Sequence, residues 1–113
     1  MATKPLTQNF ESFSKTVTAI WEDLAKDDDG EVLTLLGNKT SVQAIGTFSG
    51  STITMEGSND GVNWSNLNDE AVPGNACSFT AAGFKGVLQT VKYIRPKVTG
   101  GTATGLKVVL INR

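Results

Sequence analysis

"SVQAIGTFSGSTITMEGSNDGVNWSNL", residues 41–67, is the stretch that decides the fold class. Residues alternate one by one through its first half, with Val42, Ala44, Gly46 and Phe48 on one side. After Ser49-Gly50-Ser51 the alternation resumes. Ile53 and Met55 fall on one side, and Thr52, Thr54 and Glu56 on the other. A period of two belongs to strands that bury one face, whereas a helix repeats every 3.6 residues. Asp60-Gly61 then reads as a tight hairpin turn, with Gly57 and Gly61 free to take positive φ and Ser58, Asn59 and Asp60 capping the backbone. Past the turn, Val62 and Trp64 share a face, which predicts that Trp64 plugs the core. Leu67 falls out of step by one, so the strand ends or bulges near Ser65.

The pattern continues outward. "ACSFTA" (76–81) puts Cys77 and Phe79 together. "YIRPKV" (93–98) sets Ile94, Pro96 and Val98 against Tyr93, Arg95 and Lys97. Pro96 cannot donate to a ladder, so this strand is expected at an edge or a bulge. "LKVVLIN" (106–112) is apolar on both sides, as a strand buried on both faces would be. Pro73-Gly74-Asn75 and Gly100-Gly101 punctuate these runs. "KTVTAIWEDLA" (15–25) offers a strand through Val17, Ala19 and Trp21 or a turn of helix. Its β-branched Thr16, Val17, Thr18 and Ile20 favour the strand. "EVLTLLG" (31–37) reads as another strand. Strands recurring every ~10 residues give an all-β chain: a single antiparallel β-sandwich, jelly-roll-like. Residues 1–14 show no period and carry Leu6, Phe10 and Phe13 in a polar background. They read as an extended N-terminal arm on a domain spanning 15–113.

The chain has 113 residues, enough for one domain that buries a core without staples. Twelve glycines, three prolines and 19% charged residues suit a turn-rich β protein. The single Cys77 excludes an internal disulfide and reads as a small core residue. The N-terminal residues lack the apolar stretch of a secretory signal, and no run approaches the ~20 residues of a membrane span. The net charge of −1 hides a split. Residues 1–70 hold all 11 acids and four bases, and residues 71–113 hold six bases and no acid. Either the halves interleave in space, or the split serves docking. The bases are scattered with few aromatics among them, which speaks against nucleic acid.

Catalysis has little to build on. The absence of histidine removes the histidine general base, the histidine triad and the usual zinc site. The densest run of acids, Asp27, Asp28, Asp29 and Glu31, reads as a solvated loop. Two loops resemble an EF-hand around Gly30 and Gly61, but the residue at position 12 is Leu36 in one and Leu67 in the other. Neither supplies the bidentate glutamate that completes a calcium shell. No metal, cofactor or catalytic residue is expected. Trp64 beside Asn63, Asn66 and Asp60 holds the ingredients of a sugar site, but its face with Val62 argues for the core.

The G-T-F turn, the E-G-S-N-D-G hairpin with its following tryptophan, and Y-I-R-P before V-T-G-G carry a resemblance. Over residues 41–113 the chain resembles a group of small proteins encoded among the virion structural genes of tailed bacteriophages. The resemblance implies a non-enzymatic β-sandwich virion component. Its expected place is the outer surface of the head, as a decoration (cement) protein on the major capsid protein, with copies of itself as further partners. It would be made in the host cytoplasm and touch neither nucleic acid nor membrane. A carbohydrate- or receptor-binding module of a tail, neck or fibre is the alternative. The expected partner interface combines Leu6, Phe10 and Phe13 of the arm, the hairpin tip Ser58, Asn59 and Asp60, and the basic pair Arg95 and Lys97.

Overall fold

A computed structural model describes residues 2–12 and 14–113. The described residues form an all-β sandwich of twelve strands: β1 (Thr3–Lys4), β2 (Leu6–Glu11), β3 (Thr16–Leu24), β4 (Asp29–Gly30), β5 (Leu33–Thr34), β6 (Thr40–Ile45), β7 (Thr52–Ser58), β8 (Ser65–Asn66), β9 (Ser78–Phe79), β10 (Gly83–Gly86), β11 (Tyr93–Thr99) and β12 (Leu106–Asn112). One sheet runs β10-β6-β12-β3-β2. The other runs β1-β4-β11-β7-β8, with β5 also on β11 and β9 also on β7. Counting β4 with β5 and β8 with β9 as split strands, the order is that of a jelly roll. Successive strands from β3 alternate sheets, except that β7 and the split strand β8/β9 share one, and the last strand of each sheet, β11 and β12, lies between earlier ones.

The alternation read from the sequence forms the core. Val17, Ala19, Trp21 and Leu24 from β3, and Val42 and Ala44 from β6, face Ile53, Met55, Ile94 and Val98 from the opposite sheet. Val108 and Leu110 complete the layer, with Cys77, Phe79 and Phe48 filling its ends. Burial, with the negative charge of Asp69 nearby, pushes the Cys77 thiol up to about 11.

Several expectations change. Pro96 lies on neither an edge nor a bulge: β11 has β7 on one side and β4 and β5 on the other. The Val98 N–H donates to the Asp28 carbonyl, so the Pro96 nitrogen, two residues earlier, faces the same side. There it meets the gap between the end of β4 and the start of β5, where no ladder bond is lost. "EVLTLLG" contributes only Leu33–Thr34 as strand. The acidic cluster is no solvated loop, because Asp28 and Asp29 are buried. Asp28 accepts the Ala2 and Ala25 N–H groups and pairs with Lys4 at 3.5 Å.

The N-terminal segment is extended and lies against the body instead of reaching away. β1 pairs in parallel with β4 in one sheet, and after Pro5 β2 pairs with β3 at the edge of the other. Glu31 holds the crossing: its side chain accepts the Leu6 N–H at 3.0 Å and its carbonyl accepts the Trp21 indole N–H at 2.9 Å. The physical reason is edge satisfaction: an extended chain beside an open edge gains backbone hydrogen bonds that a free arm forgoes. The charge split closes in the same way. Arg95 pairs with Asp29 and Glu56, and Lys85 with Asp69, each joining the basic half to the acidic half.

Candidate functional site

The structure separates the expected interface residues. Leu6 and Phe10 lie on the edge strand β2, Arg95 and Lys97 on the outer face of the β1-β4-β11-β7-β8 sheet, and Ser58, Asn59 and Asp60 at the end of β7. Phe13 falls outside the described residues. They do not form one continuous site.

The Ser58–Asn63 turn is consumed by its own backbone. The Ser58 hydroxyl donates to Asp60 Oδ1 and accepts the Gly61 N–H, both at 2.9 Å. Asp60 Oδ1 also accepts the Val62 and Asn63 N–H groups at 2.8 Å, and Oδ2 accepts the Asn63 amide. Asn59 accepts the Lys92 N–H at 3.0 Å, tying the turn to the loop before β11. Ser58 is buried, so the exposed tip begins at Asn59. The backbone N–H of Asn63, then that of Val62, hold the Asp60 carboxyl well below the usual carboxylate range. A depressed folded pKa contributes stability above the unfolded value of ~3.9, lost as pH falls toward the folded value. Asp60→Ala should therefore be most destabilised relative to wild type at neutral pH. The deficit should shrink as pH falls below about 4, read by urea titrations across pH. A deficit independent of pH would show that the carboxylate charge does not stabilise the turn.

Trp64 is not a core plug. It lies half-exposed on the outer face, where the Arg95 guanidinium sits 4.1 Å from its ring centroid. Leu67 takes the core position that the turn redirects to it. Arg95 also bonds Glu56 Oε1 at 3.1 Å and pairs with Asp29 at 3.5 Å. Its donors are thus committed within the protein, across three neighbouring strands. Lys97 has no ion pair among the described residues.

The surface that the sequence reading missed is the outer face of the β10-β6-β12-β3-β2 sheet. Cross-strand register lines up Phe84, Gln43, Val109, Ile20 and Thr7 in one row. The next row is Gly86, Ser41, Ile111, Thr18 and Asn9. Neither row carries a charge. Phe84 is 71% exposed and Ile111 44%, and Ile45 extends the patch beside Lys107. The signal was present in "LKVVLIN": Val109 and Ile111 alternate against the core residues. They read as a strand buried on both sides, whereas the structure leaves that second side open.

No family model and no curated protein matches the chain. Solved structures do match in fold. The SPBc2 prophage-derived protein YomS is similar with a TM-score of 0.64 at 10% identity, over 85% of this chain and 92% of that one. PliG, a periplasmic inhibitor of g-type lysozyme from Aeromonas hydrophila, aligns at TM-score 0.47 and 13% identity, over 98% and 95% of the two chains. A cupin 2 domain-containing protein from Halorhodospira halophila aligns at TM-score 0.48 and 8% identity, over 95% of this chain and 62% of that one. The likeness to YomS extends across nearly the whole of both chains and agrees with the sandwich described above.

Proposed function

We propose that this chain is a non-enzymatic phage virion component, a head decoration protein that binds the major capsid protein through the outer face of the β10-β6-β12-β3-β2 sheet. The observation that carries the reading is the uncharged double row centred on Val109 and Ile111, with Phe84 standing out at its rim. Solvent-facing sheet surfaces normally carry charges, and a charge-free face with Phe84, Val109, Ile20 and Ile111 set among short polar side chains suits a contact surface. The phage setting is supported by the likeness in fold to a prophage-derived protein and by the turn motifs of residues 41–113. A capsid presents its subunits in many copies, so weak docking at each suffices when copies of the decoration protein also touch one another.

The test is binding of the purified protein to undecorated heads. Phe84→Asp combined with Ile111→Asp should keep the wild-type melting temperature within a few degrees, because both side chains are exposed. Binding should fall about 100-fold, as expected when two apolar anchors are replaced by desolvated charges. Unchanged binding to heads, or a map placing the protein on the tail, would overturn the reading.

One observation favours a second reading, a carbohydrate- or receptor-binding module of a tail or fibre. Trp64 lies on the surface among Glu56, Asn66 and Arg95, the side-chain types that bind sugar hydroxyls. Arg95 already covers one face of its ring, so a sugar needs the other face or must displace the guanidinium. Glycan-array binding that disappears in Trp64→Ala would favour this reading over capsid docking.

A further inference from the structure

The two sheets end differently. The edges of the β1-β4-β11-β7-β8 sheet are strands of two residues each, Thr3–Lys4 and Ser65–Asn66. On the other sheet, β10 has four residues, two of them glycine, and carries Lys85. Short, charged or glycine-broken edges are how sandwiches avoid pairing with other chains. The remaining edge, β2, is the longest of the four and carries a single charge, Glu11, at its end. Its six residues, LTQNFE, contain no proline, glycine or lysine, and the five after Leu6 are exposed.

One side of the β2 backbone faces away from β3, with the exposed Glu31 side chain on its first N–H. The Leu6 N–H donates to Glu31 Oε1 instead of to β3, so it points away from β3. By strand alternation the N–H and C=O groups of Gln8 and Phe10 point the same way. Leu6, Gln8 and Phe10 are opposite Trp21, Ala19 and Val17, so their side chains share the inner face at the rim of the core. Phe10 is 51% exposed. Beside it a groove of about 330 Å³ is lined by Val17, Leu36, Gly37 and Asn112, with Lys15 and Arg113 also on its walls.

We propose that β2 pairs antiparallel with β2 of a second copy of this chain, around a two-fold axis at Gln8, joining two five-stranded sheets into one of ten. The sequence of the strand is self-complementary in that register. Gln8 exchanges its outward N–H and C=O with Gln8 of the second copy. Phe10 meets Leu6 of the second copy on the same face, twice by symmetry, and the exposed Glu31 side chain swings aside as the Leu6 N–H passes to the Phe10 carbonyl of the second copy. Leu6 of the second copy then closes the groove beside Phe10. The acids agree with the direction: antiparallel pairing sets the two Glu11 side chains at opposite ends of the strand pair, while in-register parallel pairing sets them side by side. An isologous two-fold contact of this kind closes at two subunits and does not propagate.

The test is the mass of the isolated protein in solution across a concentration series. Wild type should approach twice 11.9 kDa as concentration rises. Gln8→Pro removes an N–H that bonds nothing within the protomer, a position where an edge strand tolerates proline. It should stay at 11.9 kDa with an unchanged melting curve. A wild type that stays monomeric throughout, or a Gln8→Pro variant as dimeric as wild type, would overturn the proposal. Should Gln8→Pro fail to fold, oxidative cross-linking decides. Directly opposed residues on the axis lie ~5.5 Å apart, within disulfide reach. Gln8→Cys should therefore form a covalent dimer, and Glu11→Cys, about 20 Å from its copy in this register, should not. Cys77 is buried and does not compete. Absence of a Gln8→Cys dimer, or equal cross-linking of both variants, would also overturn it. Because only the isolated protein is used, either outcome leaves capsid docking to be judged by its own experiment.

Discussion

Trp21→Ala should lower the melting temperature by roughly 15–25 °C, a loss of about 4 kcal/mol in a domain of this size. Trp21 is fully buried and donates its indole N–H to the Glu31 carbonyl at 2.9 Å. The backbone comes close on its other side: a Cβ on Gly30 would lie 2.6 Å from the Trp21 ring and 2.6 Å from Pro96 Cδ. Truncation therefore opens a cavity where β3, β4 and β11 meet, and it orphans a carbonyl as well. These strands belong to both sheets and cannot collapse into the space without breaking register. Trp21→Phe separates the two contributions. It keeps most of the ring volume and loses only the hydrogen bond, at a cost of about 1–2 kcal/mol beyond small packing changes. Urea unfolding of the three proteins measures both. A Trp21→Ala loss below about 1 kcal/mol would mean that the sandwich is not keyed on this residue.

Asn112→Ala should be the second most damaging substitution away from the apolar core, at about 3 kcal/mol. Asn112 ends β12, is 1% exposed, and holds the loop between β5 and β6 with both ends of its amide. Its oxygen accepts the Gly37 N–H at 2.9 Å and the Leu36 N–H at 3.3 Å. Its nitrogen donates to the Gly37 and Lys39 carbonyls and to the Thr40 hydroxyl. Alanine takes the side-chain partner from the part-buried Leu36 and Gly37 N–H groups and from the Gly37 carbonyl, while the Lys39 carbonyl keeps the Arg113 N–H. Hydrogen exchange at the Gly37 and Leu36 amides should accelerate in the variant, well beyond the global loss of stability. Protection unchanged at those two amides would show that water replaces the side chain at little cost.

The strands of the core were legible because each has one wet side. Val42 and Ala44, Ile53 and Met55, Ile94 and Val98 alternate against polar residues, and all six are buried. Alternation identifies a face but not what covers it, so Val109 and Ile111 looked like buried residues and became the open patch. Trp64 was misread because the turn after Asp60 resets the phase. Val62 is 78% exposed, and the core position passes to Leu67. Nor does sequence spacing reveal which strand flanks which. The chain position of Pro96 could not show that the gap between β4 and β5 would face it. The expected interface was a set of chemically apt residues. The fold disperses them, and the ion pairs of Arg95 and the hydrogen bonds of Asp60 are satisfied internally.

The position of β12 has a consequence for how the molecule comes into being. It lies in the middle of its sheet, between β3 and β6, yet follows both in the chain by more than sixty residues. As the chain leaves the ribosome, β3 and β6 appear early, each with an apolar side and an unfilled edge. They wait until residue 112 has been made. Closure then demands pairing across most of the chain length, a topology that folds on the millisecond-to-second scale instead of in microseconds. During that wait the nascent chain is most exposed to wrong pairings, since transient unpaired edges are where β proteins aggregate. The folded sandwich thus exists only as a whole, and a chain halted before β12 is synthesised presents two sticky edges in place of a half-built domain.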